Sequence, residues 1–472
     1  MRNWTEFTPP ICNRRDARRG FQAVCFLLAA GLGTSILAAE GPPSRPDGAL
    51  PEYLPEMLKY YEALNVYWKD KREPPSIRRV ESKPYSARGV SGVVLNDRSR
   101  ISRPLVLVGG ELVAAQMMNG KRSFDEIFAE LSKKVPRQNA LAFVNGAGRK
   151  LDARLFLNNI RYRTHYLALV KEFKKLEIRE PVTRGTSYPM WEEETKALLD
   201  EWFPIREAFP APPSAIVAPH IDYNRGKQGY IAIYERIRGL EGCKRFVILG
   251  TSHTSMSRKF ATTKKDFRTS LGIVETDRRF IRRLAKKYQH PLFEDEFLHK
   301  TEHSVELQLP FLQHFFGNRI KIVPILCGPL DSHMLLGTDP MEDPEVRDFM
   351  KALRETIDKT WGKTFVIAGS DLAHLGREFG DKAFLTEETL ADAAKKDRAL
   401  MDTILAGDPK KFLNHLFADK NARRVCGASP IYTLLHVAGP LTGKFIHYEQ
   451  CTNRKATNSV SIPGVAFFKR NE

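Results

Sequence analysis

From residue 214 onward, short runs of buried-type residues alternate with stretches of helical periodicity. The candidate strands are 214–219, 244–250, 320–327, 363–369, 443–449 and 459–468. Helical patterns lie at 228–238, 277–288, 303–315, 344–358, 387–405 and 428–437. Near-continuous apolar runs suit strands covered on both faces, and helices between successive strands supply that cover. The alternation predicts an α/β layered domain with a mostly parallel sheet flanked by helices.

Three of the strands run into a histidine. Ile216-Val217-Ala218-Pro219 leads to His220, and Phe246-Val247-Ile248-Leu249-Gly250 leads through Thr251-Ser252 to His253. Phe365-Val366-Ile367-Ala368-Gly369 leads through Ser370-Asp371-Leu372-Ala373 to His374. Parallel sheets of this class place their sites beyond the carboxyl ends of the strands. Histidine is the usual ligand for a borderline metal and the usual acid or base near neutral pH. A single histidine at a strand end is more often structural. Three at equivalent ends point to a metal or acid–base site.

Two further segments carry the same chemistry. In Thr301-Glu302-His303-Ser304-Val305-Glu306, the pattern has Glu302 and His303 opening a helix, with Glu306 one turn on. That spacing predicts two carboxylates on one helix face. Acids at a helix start also simply complement its dipole. Cys426 follows Arg423-Arg424-Val425 and precedes Gly427-Ala428-Ser429-Pro430 at the start of another helix. Nearby cations and a helix N-terminus favour a thiolate, which is a soft metal ligand. The other reading of Cys426 is a small buried hydrophobe.

Length and charge set the surroundings of this domain. The chain has 472 residues, enough for two or three domains, and a formal charge of +18. Such a charge suits an anionic partner or merely a soluble basic surface. The Lys and Arg residues are scattered, so there is no clear nucleic-acid signature. Cys12, Cys25, Cys243, Cys327, Cys426 and Cys451 form no CxxC pair, which argues against a zinc ribbon or a thioredoxin-type motif.

Residues 1–39 read as a signal or anchor segment. A basic stretch ending Arg18-Arg19-Gly20 precedes the uncharged run Phe21–Ala39. That shape fits a secretory signal or an uncleaved anchor, and Arg18-Arg19-Gly20-Phe21 resembles a twin-arginine export signal. The expected location is exported, periplasmic or membrane-anchored, with membrane contact only through 21–39. A start codon placed too early, and a cytoplasmic protein, is the alternative.

Residues 40–103 read as a linker or arm, with a modest helical pattern at Pro51–Trp68. In 104–180 the pattern gives a strand at Leu105–Val108, a short helix at Glu111–Met118 and a capping box at Ser123-Phe124-Asp125-Glu126. A longer helix is expected over about Ala153–Leu176. A strand with helices at this spacing resembles the small winged-helix-like α+β peptide-binding domain of the PqqD type. A helical cap is the other reading. A last helix, Trp191–Phe203, leads to the main domain.

Taken in order, Ala-Pro-His220, Leu-Gly-Thr-Ser-His253, Glu-His-Ser-Val-Glu-Leu-Gln-Leu-Pro at 302–310, Ser370-Asp371-Leu372-Ala373-His374 and Cys426-Gly427 resemble the Memo family. Its bacterial form is called AmmeMemoRadiSam system protein B, and the resemblance covers about residues 181–472. It implies a fold like that of the class III extradiol dioxygenases. It also implies a mononuclear metal site with His220, His253 and Cys426 as ligands. Iron is the expected metal, with copper or zinc as alternatives. His374 would be the acid–base histidine, Asp371 would lie beside it, and His303 would line the pocket.

Dioxygenases of that class complete two histidines with a carboxylate, whereas this chain offers Cys426. A thiolate is softer and more easily oxidised, so ring cleavage does not carry over. The resemblance therefore implies a metal-dependent oxidoreductase of unknown substrate. The alternative is a non-catalytic peptide-binding, partner-binding or metal-handling protein with a vestigial cleft. The implied partner is a peptide or a radical S-adenosylmethionine enzyme. The chain is not that enzyme, because it has no CxxxCxxC signature.

Overall fold

The computed structural model describes residues 73–204, 212–240, 242–359 and 363–469. The expected signal or anchor at 1–39 and the helical pattern at 51–68 lie outside them. Among the described residues, no helix is long and apolar enough to cross a membrane. Packing divides the chain into two units, with the division after Val170.

The first unit begins with a three-stranded antiparallel sheet, β1 (Glu81–Ala87), β2 (Val90–Asn96) and β3 (Leu105–Val108), in that order. This corrects the linker or arm reading for residues 81–96. Only Leu95 of the first two strands is fully buried, so no apolar alternation marks them. Their turn is made by Arg88 and Gly89, both at positive φ, as a two-residue hairpin of this twist requires.

Helices α1 (Gly109–Met117), α2 (Phe124–Ser132), α3 (Arg137–Ala153) and α4 (Ile160–Lys175) follow. The capping box forms in both halves: the Glu126 amide donates to Ser123 Oγ and the Ser123 amide donates to Glu126. The single long helix expected over 153–176 is instead the end of α3, a break at 154–159, and α4. Leu155, at φ +60, turns the chain out of the helix there. Leu95, Leu107, Phe124, Ile127, Val144 and Leu151 centre the unit's own core.

The second unit opens with β4 (Ile178–Arg179), α5 (Glu192–Trp202), β5 (Ala215–Ala218), α6 (Tyr223–Tyr234) and β6 (Cys243–Thr251). Three short strands follow, β7 (Phe260–Thr262), β8 (Asp266–Thr269) and β9 (Gly272–Thr276), then α7 (Arg278–Lys287), α8 (Leu309–Phe316) and β10 (Lys321–Cys327). The rest is α9 (Asp331–Leu336), α10 (Pro344–Lys359), β11 (Lys363–Gly369), β12 (His374–Leu375), α11 (Glu387–Leu405), α12 (Pro409–Ala418), α13 (Ala428–Val437), β13 (Leu441–Thr452) and β14 (Ser459–Lys469).

The sheet runs β12-β14-β5-β11-β6-β10-β9-β8-β4, with β13 on β14 and β7 on β10. Its centre, β5, β11, β6, β10 and β9, is parallel. Antiparallel strands extend the margins, with β14 beside β5 and β8 beside β9.

Successive residues of the central strands serve opposite faces. Val217, Val247, Val323, Val366 and Val465 enter one core. Ile216, Ile248, Ile322, Ile367 and Ile462 enter the other. Helices cover both faces, which is why these strands read as continuous apolar runs rather than as alternations.

The helix expected at 303–315 starts later than its sequence pattern. Residues 301–305 form a turn, Glu306–Gln308 a single 3₁₀ turn, and α8 begins at Leu309. Glu302 and Glu306 therefore do not share a helix face. Each carboxylate is drawn off by a separate buried partner.

Candidate metal centre

The strand order creates the site. β11 enters the sheet between β5 and β6, although β5 and β6 precede it in the chain. Register sets Gly369 opposite both Ala218 and Gly250. Three carboxyl ends therefore stop level with one another. Two residues beyond them come His220, Asp371 and Ser252, with His253 next. Crevices at such a reversal of strand order are where open α/β sheets bind ligands.

The 301–308 turn closes over these ends. Ser304 Oγ donates to the Thr251 carbonyl at 2.9 Å, and Gln308 Nε2 donates to the Pro219 carbonyl at 2.9 Å. Glycine permits this approach. A Cβ on Gly250 would sit 2.5 Å from Ser304 Oγ, and one on Gly369 would sit 2.9 Å from the Ser304 carbonyl oxygen.

His220 is 2% exposed. Its Nδ1 donates to the Gly369 carbonyl at 2.8 Å, and its amide donates to Asp371 Oδ1 at 2.9 Å. Its Nε2 then faces Cys426 Sγ at 3.4 Å, with Asp371 Oδ2 at 3.7 Å. His253 is oriented the same way by a carboxylate. Its Nδ1 lies 3.0 Å from Glu302 Oε1, and its amide donates to Glu302 Oε2 at 2.9 Å. His374 Nδ1 donates to the Leu372 carbonyl at 3.0 Å. In all three imidazoles the Nδ1 proton is committed, so the tautomer leaves Nε2 as the free donor atom.

Cys426 sits just before α13. Thr251 Oγ1 donates to its carbonyl at 3.2 Å, and the Gly427 amide donates to the Asp371 carbonyl at 2.9 Å. One ligand atom each from His220, His253 and Cys426 lie within 4.8 Å of one another. Asp371, His374 and Cys426 form a second such group, and His253, Glu302 and His303 a third. The His303 ring stacks on His253 with centroids 4.7 Å apart. All six residues singled out in the sequence thus come to one crevice. Glu302 is there too, as the orienting partner of His253 rather than as a helix-start charge.

Electrostatics make this a donor set. Burial opposes a Cys426 thiolate, but His220 and then His374 outweigh it and hold the thiol well below its ordinary value. Burial opposes protonation of His220, yet Asp371 and Cys426 drive its value up. His303 is pushed down chiefly by burial and stays neutral. Glu302 is held far below the usual carboxylate range: burial opposes this, and His253, through its ring and its backbone amide, overcomes it. A cation between these donors would displace the proton shared by His220 and Cys426. Two imidazole nitrogens and one thiolate suit a borderline or soft transition metal, so the residues present fit such an ion.

Arg179, which sequence reasoning missed, holds the crevice wall together with Glu306. Arg179, fully buried in β4, pairs with Glu306 and donates from Nε to the His299 carbonyl at 2.9 Å. Glu306 also accepts from the Thr183 hydroxyl at 2.8 Å and the Tyr188 hydroxyl at 2.9 Å. This cluster ties the turn bearing Glu302 and His303 to residues 179–188. Local pattern gives no signal for Arg179, which lies among Lys174, Lys175, Glu177 and Glu180, whereas Glu306 is a charge set between Val305 and Leu307.

The fold and site define an α/β protein of the class III extradiol dioxygenase-like type with a histidine–cysteine crevice at its parallel strand ends. A family model described as Memo-like protein matches residues 179–466, and the chain belongs to the Memo family. A MEMO1 family protein of Aquifex aeolicus is 25% identical over 398 residues, covering 84% of this chain and 100% of its own length. That match is longer than the second unit, so it extends into the first. A MEMO1 family protein of Methanosarcina mazei is 28% identical over 291 residues, covering 61% of this chain and 95% of its own. One of Methanococcoides burtonii is 32% identical over 265 residues, covering 55% and 87%.

Proposed function

We propose that the crevice holds one transition-metal ion, iron first and copper or zinc as alternatives, on His220, His253 and Cys426. On this reading the chain is a metal-dependent oxidoreductase acting on a small substrate. The carrying observation is the pair of imidazoles whose Nδ1 atoms are tied to Gly369 and Glu302, leaving both Nε2 atoms beside Cys426 Sγ. A three-donor site leaves coordination positions for substrate, and the bound ion would supply Lewis acidity and, as iron or copper, a one-electron couple.

The chain's own residues do the rest. Asp371 accepts the His220 amide and holds the ring's strand end in place. His374, with Nδ1 fixed and Nε2 free, can give or take a proton from a group bound in the crevice. His303, neutral and stacked on His253, presents an uncharged wall.

A second reading is favoured by the thiolate itself. Cys426 stands where oxygenase chemistry uses a carboxylate, and this suits metal handling or binding of a peptide in the cleft. The residues before the family match would then recruit a peptide or a radical S-adenosylmethionine enzyme, as a PqqD-like module would.

The test is metal analysis of the full chain purified anaerobically under reducing conditions, beside His220→Ala and Cys426→Ser. About one equivalent in the wild type and little in either variant is expected. Unchanged metal content in both variants would remove the proposal. Oxygen uptake by the loaded protein with catechols then separates the readings, since no uptake favours the second.

A further inference from the structure

Resting on the metal-site reading, we propose that Arg424 is a positioning residue. With Asp381 it braces the turn that carries Cys426 against the strand that carries His374. One guanidinium would then set the spacing between the ligand thiolate and the acid–base imidazole.

Four observations converge on it. Arg424 has φ +56, a left-handed conformation uncommon for a long side chain and one that persists where the surroundings enforce it. The bend is held locally: the Arg424 amide donates to the Asn421 carbonyl at 2.8 Å, and the Val425 amide donates to Asn421 Oδ1 at 2.8 Å. Cys426 is the next residue.

His374 is gripped by the same turn at both backbone groups. Its amide donates to the Arg423 carbonyl at 2.8 Å, and its carbonyl accepts from Arg424 Nε at 2.9 Å.

The outer end of the guanidinium reaches Asp381. Arg424 Nη2 donates to Asp381 Oδ1 at 2.6 Å, while Asp381 Oδ2 accepts the Gly376 amide at 2.7 Å. Asp381 thereby closes the turn that presents Phe379 edge-on to the His374 ring, with centroids 4.9 Å apart.

The Arg424 and Asp381 side chains are 28% and 35% exposed. A pair this open to water contributes little to global stability. Its effect is geometric: removing it frees the Cys426 turn and the His374 strand to move separately.

The experiment uses the full chain and Co(II) as the probe. Arg424→Gln, Asp381→Asn and the double variant are titrated beside the wild type, following the thiolate-to-cobalt absorption band and the melting temperature. Partners that orient metal ligands typically change affinity by about 10–100-fold. Arg424→Gln is expected to weaken Co(II) binding at least about tenfold and to shift the band, with melting nearly unchanged. The double variant is expected to add little to either single change, as for residues acting through one contact. Wild-type affinity and an unchanged band in Arg424→Gln would overturn the brace. So would loss of binding that only tracks loss of melting temperature.

If the wild type binds no Co(II), or His220→Ala binds it equally well, the metal-site reading fails. The brace is then decided by the rate of Cys426 alkylation at a single pH. A rate altered in Arg424→Gln supports it, and an unaltered rate overturns it.

Discussion

His220 Nε2 stands 3.4 Å from Cys426 Sγ across 206 residues of sequence. The contact exists because β5 and the turn before α13 meet at one end of the sheet. It joins a group driven towards imidazolium with a group driven towards thiolate.

The metal-free protein is therefore expected to hold Cys426 as a thiolate at neutral pH. Iodoacetamide alkylation of the metal-free full chain, followed against pH, should show a midpoint well below the ordinary thiol value of 9.0. His220→Ala removes the largest favourable partner and should move the midpoint up. A midpoint near 9 in the wild type would contradict the ion-pair description.

Glu302 is expected to act on the site through His253. Glu302→Gln keeps the shape but weakens the grip on His253 Nδ1 and on the amides of His253, His303 and Ser304. Metal affinity should fall by about 10–100-fold, as for other partners that orient a ligating histidine. Competition with a chelator of known affinity measures it, and an unchanged constant would show that His253 needs no such support.

The Arg179–Glu306 pair is expected to contribute to the acid sensitivity of the second unit. Burial opposes the charged carboxyl, but Arg179 and backbone amides lower its value below the ordinary 4.5. Its stabilisation is complete above that value and is lost as pH falls through the lower folded-state value. Glu306→Gln leaves a buried guanidinium uncompensated and should cost about 3–5 kcal/mol at pH 7. Denaturant melts at several pH values should show this gap narrowing only below about pH 4.5. A gap independent of pH would mean that the carboxylate charge is not what stabilises the turn.

Gly250 is expected to tolerate no side chain. The added methyl of Gly250→Ala would lie 2.5 Å from Ser304 Oγ and 2.8 Å from Val305 Cγ2. Overpacking of this kind costs about 1–3 kcal/mol, and here it would push the 301–308 turn off the strand ends. Thermal melting reads the first effect and metal affinity the second. Wild-type values for both would show that the turn has room to spare.

The sheet centre was legible because β5, β6, β10 and β11 are buried on both faces and so carry unbroken apolar runs. The strands β1 and β2 were not legible, since β1 is mostly polar, β2 does not alternate, and only Leu95 is fully buried. The helix start at Glu302 was misread for a related reason. Periodicity continues through residues 302–306, but buried partners, His253 for Glu302 and Arg179 for Glu306, take the carboxylates in different directions.

By itself the sequence determined the α/β class, the histidines at the strand ends and the cysteine before a helix. Those follow from local hydrophobic pattern and from residue chemistry. Only the tertiary structure decided that β11 enters between β5 and β6, which sets His220 level with Asp371, with His253 one residue further along its strand end, all within reach of Cys426. It also decided which imidazole nitrogen is free, because the acceptors Gly369, Glu302 and Leu372 are set by strand register and turn geometry. Strand order and hydrogen-bond partners are relations between distant segments, and local sequence pattern carries neither.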